Sequence, residues 1–295
     1  MSLSLKSKLF VRCRIGGNAF TVEPGERIPE TLRFPATSGS PTKAACVFLH
    51  AFPLDSRMWE PALEWASIRG YPSYALDLPG FGRSKAARDF LEIIDMETAA
   101  RTVLDCLDAL GLQQAVLVGC SMGGYVIFAM LRLRPLVAKG LLLSDTRASA
   151  DTEEARAARF RAIETIKLGG RHEFLESMLQ RLLSSDRSLT DDVARWVAKI
   201  MNDQEDETLV AALHGLAQRR DSTGLLGSIR VPTAVVVGDS DALVSVEEAR
   251  ALAESIPSAT LTVIAGAGHL PNLEAPEAFH QALGSLLARV EKRSS

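Results

Sequence analysis

A serine within a glycine-rich turn is the strongest candidate for chemistry in this sequence. Ser121 is the central residue of a G-x-S-x-G pattern, GCSMG at residues 119–123. It lies between the apolar, strand-like run Ala115–Val118 and a helix-like stretch that opens near Ser121 and is closed by Pro135. A sharp strand-to-helix turn strains the backbone of a nucleophile and leaves little room for neighbouring side chains. A serine N-cap in a glycine-rich turn can share this pattern, but the strand–turn–helix context favours a nucleophile.

A serine hydroxyl needs a neighbouring base to act as a nucleophile, most often a histidine that a carboxylate orients. His269 is the favoured base because it directly follows the last predicted strand, in the loop sequence IAGAGH. Catalytic groups collect at the carboxyl ends of parallel strands, and His269 stands at such an end. The other histidines have structural interpretations: His172 and His214 on the surface of a helical segment, His280 within the last helix, and His50 as a brace for its own loop.

Three aspartates compete for the role of the orienting carboxylate. Asp241 is favoured because it follows the predicted strand Thr233–Val237 and precedes His269 by 28 residues. Asp239 lies two residues nearer the strand, where it also suits an Asx turn or a cap. Asp145 follows another predicted strand and also suits a surface or capping role. The sequence favours Asp241 and leaves both alternatives open.

Acyl chemistry at Ser121 also requires donors for the negative oxygen that develops in the transition state. The N–H of Met122, directly after the serine, is the first candidate because it opens a helix. The second is the N–H of Phe52, in the loop that follows the predicted strand Ala45–Leu49. We therefore predict an oxyanion hole formed by Phe52 and Met122. This chemistry requires neither a metal nor an organic cofactor, and none is expected.

Positioning these groups requires a mainly parallel sheet, and the order of apolar runs predicts one. Strand-like runs alternate with helix-like segments, which is the pattern of an α/β protein. The predicted strands are Ala45–Leu49, Ser73–Leu76, Ala115–Val118, Lys139–Leu143, Thr233–Val237 and Thr260–Ile264, and the predicted helices include Ser56–Arg69, Asp95–Leu110, Ser121–Arg134, Val246–Ser255 and a last one from Pro276. Ahead of them, Leu9–Ile15 and Ala19–Val22 flank a predicted hairpin turn, and residues 35–43 have the composition of a surface loop.

The alternation is interrupted by a helical segment of residues 147–222. Helix-like stretches rich in Arg, Glu, Ala and Leu fill it, and the sequence predicts no strand there. We therefore predict one catalytic core of residues 1–146 and 223–295, with 147–222 as an inserted helical cap that roofs the site. Its larger apolar residues suit either a pocket lining or the core of the cap: Phe160, Ile163, Phe174, Leu175, Met178, Leu182 and Trp196. Its basic residues suit either an acidic substrate or a charge-balanced solvated face: Arg156, Arg159 and Arg161.

Composition excludes several other classes of protein. The 295 residues carry 33 Lys and Arg against 36 Asp and Glu, so nothing favours a nucleic-acid partner. Apolar runs are far shorter than the ~20 residues that span a bilayer, so no membrane partner is expected. The four cysteines lack CxxC spacing, which disfavours a disulfide scaffold or a zinc site. Because no secretory leader pattern is visible, a cytoplasmic location is the default expectation.

The motifs together resemble the α/β-hydrolase fold superfamily, and specifically its small single-chain hydrolases with a helical cap. The resemblance runs from about Ala44 to the C-terminus. It rests on HAFP at 50–53, DLPGFGRS at 77–84, GCSMGG at 119–124, GDSD at 238–241 and GAGH at 266–269. The order of nucleophile, acid and base along the chain is also that of this superfamily. The resemblance implies a mostly parallel eight-stranded sheet, a cap inserted after the sixth strand, and the triad Ser121, Asp241 and His269.

One residue departs from the usual pattern of the superfamily. Ala51 stands where the family usually has a glycine in the oxyanion loop. If that position needs a positive φ, Ala51 is strained by about 1 kcal/mol or more, and if it does not, the methyl group only narrows the site. The stretch LLSDTR at 142–147 is also similar to members of the 3-oxoadipate enol-lactonase-like group.

The favoured activity is hydrolysis of carboxylic esters of small molecules through an acyl-serine intermediate. Enol-lactonases, C–C bond hydrolases and cofactor-free perhydrolases share the triad and are the enzymatic alternatives. Dehalogenases and epoxide hydrolases are disfavoured because they need a carboxylate at the position of Ser121. A ligand-binding receptor on the same fold is the non-enzymatic alternative, and its usual signature is a broken triad. The expected partner is a small ester or lactone, whereas the chain-length preference and the oligomeric state are not predicted.

Overall fold

An eight-stranded, mostly parallel sheet flanked by helices forms the architecture, as predicted. The computed structural model describes residues 6–33, 43–85 and 92–294. The strands are β1 Val11–Ile15, β2 Asn18–Val22, β3 Cys46–Leu49, β4 Ser73–Leu76, β5 Ala115–Cys120, β6 Ala138–Ser144, β7 Thr233–Gly238 and β8 Ala259–Ile264. Their order in the sheet is β2-β1-β4-β3-β5-β6-β7-β8. Strand β1 pairs antiparallel with β2 and β4, and the neighbours in the series β4-β3-β5-β6-β7-β8 pair in parallel. The predicted surface loop at 35–43 lies outside the described residues except for Lys43.

The helices include those predicted with bounds, each close to its predicted range, and four within residues 147–222 that the sequence predicted without bounds. They are α1 Glu60–Ile68, α2 Met96–Ala109, α3 Met122–Leu133, α4 Glu153–Lys167, α5 Arg171–Leu182, α6 Asp192–Asn202, α7 Asp206–Ala217, α8 Thr223–Leu226, α9 Val246–Ser255, α10 Pro271–Glu274 and α11 Pro276–Ser294. Short 3₁₀ turns occur at Glu30–Leu32 and Ser56–Trp59. The sequence did not predict α8 and α10, because segments of one turn show no hydrophobic period. Among the described residues, no helix combines the length and the apolarity that crossing a membrane requires.

The central strands are buried along their whole length. Strands β3 (CVFL), β5 (AVLVGC) and β7 (TAVVVG) are buried at every position. Such continuous apolar runs are typical of parallel strands that are covered on both faces. Trp59 anchors the helices that pack here, since its ring centroid lies 5.4 Å from that of Phe48 and 5.8 Å from that of Phe279. The carboxyl ends of β3, β5, β6, β7 and β8 therefore emerge from one rigid sheet edge.

Helices α4 to α7 lie within residues 147–222, where the sequence predicted helices and no strand. Helix α4 packs against α5 and α7, and α5 packs against α6. Helix α6 buries one face at helical spacing, formed by Ala194, Val197, Ile200 and Met201. Side-chain hydrogen bonds help to join this segment to the loops of the sheet: for example, Thr208 donates to the Gly80 carbonyl at 2.9 Å, and the Gln204 amide donates to Asp55 at 3.0 Å.

The large apolar residues of these helices divide among three environments. Some are buried in the core, some are more exposed, and some line a cavity. Ile163, Leu175 and Leu182 are buried in the core. Phe160 and Trp196 are exposed, and Phe174 and Met178 line the cavity. Both predicted roles, core and pocket lining, therefore occur on the same helices.

The turn between β5 and α3 brings two glycines against neighbouring backbone. Gly123 lies so close to β3 that a Cβ atom at this position would come within 2.1 Å of the Leu49 carbonyl oxygen. A Cβ atom on Gly119 would come within 2.6 Å of the Gly123 carbonyl carbon. Because backbone atoms cannot rotate away as a side chain can, both positions need glycine. The glycines of the G-x-S-x-G pattern thus allow α3 to begin beside the end of β3.

Replacing Gly123 by alanine should destabilise the fold, because the new methyl group collides with the Leu49 carbonyl. Overpacking of this kind costs typically ~1–3 kcal/mol, and a backbone obstacle puts Gly123→Ala at or above the upper end. Gly224→Ala is the matched control, since nothing lies within 4 Å of a Cβ atom at Gly224 in helix α8. Urea unfolding of both variants measures the difference. Equal stability of Gly123→Ala and wild type would show that α3 does not approach β3 this closely.

Candidate active site

Ser121 occupies the strained turn that the sequence predicted. Its φ and ψ are 50° and −111°, a conformation that L-residues rarely adopt. The end of β6 and the loop after it hold the turn in place: the Ser121 N–H donates to the Ser144 carbonyl at 2.9 Å, and the Thr146 hydroxyl donates to the Ser121 carbonyl at 2.8 Å. Backbone strain that is secured on both sides is typical of functional positions.

The two predicted oxyanion donors are free to bind a substrate oxygen. Within the described residues, the N–H groups of Phe52 and Met122 have no backbone or side-chain acceptor. Both residues are nearly buried, at 4% and 1% exposure, and both line the cavity that also contains Ser121. Met122 is the first residue of α3, so its N–H belongs to the electropositive end of a helix. Such donors in a partly dry site can stabilise a developing negative charge.

His269 and Asp241 form the predicted pair behind the serine. The Nδ1 atom of His269 lies 2.7 Å from Oδ2 of Asp241, and these side chains are 1% and 0% exposed. The Leu243 N–H donates to the other carboxylate oxygen at 2.7 Å, which fixes the orientation of Asp241. The Nε2 atom of His269 is buried and has no hydrogen-bond partner in the described chain. Because His269 lines the same cavity as Ser121, this nitrogen is available as a proton acceptor there.

Asp239 has a structural role, but it connects two loops and does not form the Asx turn or cap that was its alternative interpretation. It is exposed, and one carboxylate oxygen accepts hydrogen bonds from the Gly266 N–H at 2.8 Å and from the Ser240 hydroxyl at 3.0 Å. These bonds join the loops that follow β7 and β8. Asp239 therefore supports the geometry of these two loops, whereas Asp241 is the carboxylate that contacts His269.

Asp145 corrects the expectation of a surface or capping carboxylate, because it is completely buried. Its φ is 48°, one oxygen accepts from the Gly238 N–H at 3.0 Å, and the other accepts from the Ser144 hydroxyl at 2.5 Å. The end of β6 places it beside Asp241, and a position at the end of a parallel strand was the only sequence signal for this. Burial, followed by the neighbouring charge of Asp241, raises the pKa of Asp145 well above its usual value.

The side chains of Asp145, Asp241 and His269 could also suit a metal ion. Each offers one oxygen or nitrogen atom, and these three atoms lie within 4.8 Å of one another. The hydrogen bonds of these side chains account for the same atoms without one. Nδ1 of His269 faces Asp241 at hydrogen-bond distance, and both oxygens of Asp145 accept bonds from Gly238 and Ser144. A metal would have to displace the Nδ1 proton and reorganise this buried network, so the donor set fits a hydrogen-bonded relay better.

His50 braces its loop, as the sequence indicated. Its Nε2 accepts from the Leu78 N–H at 2.9 Å, and its Nδ1 lies 3.0 Å from the Ala51 carbonyl oxygen. This pattern assigns the proton to Nδ1 and leaves the ring neutral. Complete burial is the main reason that the pKa of His50 falls to about 4. His50 therefore does not compete with His269 as a base.

Ala51 does not adopt the strained conformation that a glycine there could have implied. The described non-glycine residues with positive φ are Ser121, Asp145 and Ser258, and Ala51 is not one of them. Its side chain is buried, and its N–H points to the Met58 sulfur at 3.3 Å. The methyl group accordingly adds bulk beside the oxyanion loop without backbone strain.

Cys120, directly before Ser121, is not a rival nucleophile. Its thiol is buried, and burial together with the charges of Asp145 and Asp241 raises its pKa well above the usual value. The thiol therefore stays protonated near neutral pH, where only a thiolate is an effective nucleophile.

Glu274 is a supporting residue that sequence reasoning missed. One of its carboxylate oxygens accepts from the Gly268 N–H at 2.9 Å, and the other accepts from the Ser184 N–H at 2.8 Å. Its side chain is 0% exposed and lies 3.4 Å from Nε of Arg187. Glu274 therefore ties the loop that carries His269 to the end of α5. A glutamate within a one-turn helix has no motif that could have revealed this role.

A cavity of about 200 Å³ connects these groups. Segments at the carboxyl ends of the strands contribute the predicted nucleophile, base and oxyanion residues to its wall, and helices α4, α5 and α7 contribute apolar and charged residues. The lining consists of Phe52, Ser121, Met122, Tyr125, Arg147, Asp151, Ala155, Ala158, Arg159, Ala162, Phe174, Met178, Arg181, Leu213, Leu216, Leu243, Val244 and His269. A pocket of this size suits a small molecule.

Comparisons with known proteins agree with the fold and identify the family. The model of the alpha/beta hydrolase family matches residues 46–282. The chain is 26% identical over 256 residues to 3-oxoadipate enol-lactonase 1 of Acinetobacter baylyi, a match that covers 86% of this chain and 92% of that protein.

Solved structures of similar proteins share the architecture. A thermophilic esterase from Thermogutta terrifontis, solved with malate bound, is 35% identical with a TM-score of 0.78, covering 84% of this chain and 91% of that one. The enol-lactonase from Burkholderia xenovorans LB400 has the same TM-score of 0.78 at 20% identity and covers 97% and 99% of the two chains. At that identity the second likeness concerns the fold alone.

His50 should make a contribution to the free energy of unfolding that is lost as the pH falls from about 6.5 toward 4. Burial lowers the pKa of His50 from 6.5 to about 4, so the unfolded chain takes up a proton in this interval before the folded protein does. The His50 contribution to the free energy of unfolding is fully present above pH 6.5, and it is lost as the pH falls to about 4. It amounts to ~3 kcal/mol at most, because each tenfold difference in proton affinity between the two states is worth about 1.4 kcal/mol.

Urea unfolding at several pH values compares wild type with His50→Gln, whose side-chain oxygen can still accept from Leu78. Lowering the pH from 6.5 to 4 should reduce the free energy of unfolding less in His50→Gln than in wild type. The exposed control His172→Gln should show the wild-type dependence of that free energy on pH. The same slope in all three proteins would contradict a buried neutral His50.

Proposed function

Because this chain belongs to the alpha/beta hydrolase family, we propose that it is a serine hydrolase that cleaves carboxylic esters of small molecules. The observation that carries this proposal is the 2.7 Å contact between Asp241 and His269, whose other ring nitrogen is unpartnered among the described residues, in the cavity that contains Ser121. The 35% identity to an esterase further supports ester hydrolysis.

Acylation begins when Oγ of Ser121 attacks the ester carbonyl carbon. Nε2 of His269 takes the hydroxyl proton, and the N–H groups of Phe52 and Met122 bind the oxyanion of the tetrahedral intermediate. The protonated His269 then gives that proton to the leaving alcohol as the C–O bond breaks, which leaves an acyl-serine. Asp241 holds the imidazole in the required tautomer and stabilises its positive charge.

Deacylation repeats these steps with water as the nucleophile. His269 accepts a proton from water, whose oxygen attacks the acyl carbon, and the proton passes to Oγ of Ser121 as the acid product leaves. Every proton transfer uses Nε2 of His269, so the sequence of steps needs no metal or organic cofactor.

Residues 147–222 act in this proposal as a cap over a catalytic core of residues 1–146 and 223–295. Helices α4 and α5 supply Ala155, Phe174 and Met178 to the cavity wall, which supports a role in choosing substrates. The four cysteines are buried free thiols, which fits the cytoplasmic location that we propose for this activity.

Lactone hydrolysis is the second candidate, because a lactone is a cyclic ester and the chain is similar to a 3-oxoadipate enol-lactonase. The same acyl-serine route opens the ring, and the leaving alcohol or enol stays attached to the acyl group. Rates on short linear esters, lactones and a dienoic diketone separate esterase, lactonase and C–C hydrolase activity. Peracid formation from acetate and hydrogen peroxide tests the perhydrolase alternative.

Ser121→Ala should reduce hydrolysis of p-nitrophenyl acetate and butyrate to below about one-thousandth of the wild-type rate, since the attacking oxygen is removed. A fluorophosphonate probe should label wild type and leave Ser121→Ala unlabelled. Ser285→Ala, at an exposed position on α11, is the control and should retain both activities. Substantial turnover by Ser121→Ala would overturn the nucleophile. Binding of a small ligand by wild type without turnover or labelling would instead favour a receptor.

Substituting the two buried aspartates should distinguish the orienting carboxylate from its neighbour. Asp241→Asn should lower kcat by about a thousandfold or more, because the amide can hold the wrong histidine tautomer. Asp145→Asn should cost far less, because an amide resembles the neutral carboxylic acid that the raised pKa of Asp145 favours. Steady-state kinetics on p-nitrophenyl butyrate measures both, with folding checked by thermal unfolding. The opposite order of losses would assign the orienting role to Asp145.

A further inference from the structure

The wall of the proposed active-site cavity has an unusual charge balance. Three arginines line it, Arg147, Arg159 and Arg181, and Asp151 is the acidic residue among its described lining residues. All four belong to residues 147–222, whereas the proposed nucleophile and base belong to loops of the sheet. The positive charges are therefore collected on the inserted segment.

Ion pairs cancel only part of this positive charge. Asp151 is 4% exposed and accepts hydrogen bonds from both Arg159 and Arg219, so two guanidinium groups share one carboxylate. Arg147 lies 3.2 Å from Glu248, but its Nε is buried without a hydrogen-bond partner in the described chain. A buried N–H that lacks a partner gains from any anion that reaches it.

Arg181 is the least compensated of the three. It follows Met178 by one helical turn on α5, and no carboxylate lies within ion-pair distance of it among residues 6–33, 43–85 and 92–294. Nearby Arg187, by contrast, pairs with Asp191 and Glu274. Arg181 therefore keeps its full charge for a ligand, and no existing ion pair has to break.

The rest of the lining is mostly apolar. It includes alanines, larger apolar side chains and aromatic rings, among them Ala155, Ala162, Phe174, Met178, Leu213 and Val244. Such walls suit an aliphatic chain. Arg181 itself is exposed on α5, so its contribution rests on hydrogen-bond geometry and charge. A planar guanidinium group matches a carboxylate with two parallel N–H donors.

We propose that this cavity selects substrates that carry a carboxylate at the end remote from the scissile carbonyl. Arg181 binds that carboxylate directly, and Arg159 and Arg147 add positive charge beside it. The inference rests on the proposed function, because it places the reacting carbonyl at Ser121. The substrate class is then the monoesters of short dicarboxylic acids, or lactones that bear a free carboxylate.

The kinetic test compares the monomethyl with the dimethyl esters of succinic, glutaric and adipic acids. The two members of each pair differ only at the remote end, so the ratio of their kcat/KM values reports the carboxylate contact. For the best chain length, the monoester should be favoured by about tenfold or more, the range expected for a hydrogen bond to a charged group. A ratio of one or less at every chain length would overturn the inference.

Arg181→Gln should lower the monoester-to-diester ratio by about tenfold, because the amide keeps polarity and loses the charge. Arg161→Gln is the matched control: it removes the same charge from an exposed arginine on α4 that does not line the cavity. It should leave both rates at the wild-type level. An equal effect of both variants would show that the net charge of the surface, and not a cavity contact, favours the acid. Thermal unfolding verifies that both variants are folded.

Calorimetry separates failure of this inference from failure of the proposed function. Ser121→Ala protein retains the cavity, so binding of glutarate and adipate can be compared with that of glutaramide and adipamide without any turnover. Tighter binding of a dicarboxylate, lost when Arg181→Gln is added, supports the site even if no ester is cleaved. Equal or undetectable binding of acids and amides overturns it, even if p-nitrophenyl butyrate is hydrolysed through Ser121.

Discussion

The close approach of helix α3 to strand β3 is the constraint on which the site depends. Gly123 meets the Leu49 carbonyl with no space for a methyl group, and this contact determines where α3 can begin. Because α3 begins there, Ser121 is held at a φ of 50° and the N–H of Met122 is left without an acceptor in the described chain, beside the loop of Phe52. The sheet is a fixed support, and the contact between Gly123 and Leu49 fixes the position of the Ser121 hydroxyl relative to it.

Residues whose roles follow from local sterics or from strand ends were predictable. Glycines around Ser121 indicated a turn that tolerates no side chain, and the structure contains that turn. Continuous apolar runs predicted parallel strands, and parallel strands bring their carboxyl ends to one edge. That rule predicted that Asp241 and His269 lie near each other. Oδ2 of Asp241 and Nδ1 of His269 are 2.7 Å apart, although 28 positions separate the two residues in the chain.

Residues whose roles depend on how distant segments pack were not predictable. Asp145 is buried because β7 covers it and offers the Gly238 N–H, and nothing in its own stretch of sequence reveals that cover. The charged lining shows the same limit: the sequence did not separate Arg159 from its helical neighbours, and Arg181 enters the cavity wall from a different helix. Relative placement of α4 and α5 decides which arginines matter, and hydrophobic periodicity carries no information about it.

The loop of His269 is fastened to α5 rather than to the sheet alone. Its own N–H donates to the Leu182 carbonyl at 3.0 Å, while Glu274 bridges Gly268 and Ser184. The helix that carries the proposed substrate-binding arginine, Arg181, and the loop that carries the proposed base, His269, are therefore joined by direct hydrogen bonds. In the proposed function, a substitution that shifts the end of α5 would therefore also shift the imidazole, so changes in substrate binding and in catalysis would occur together.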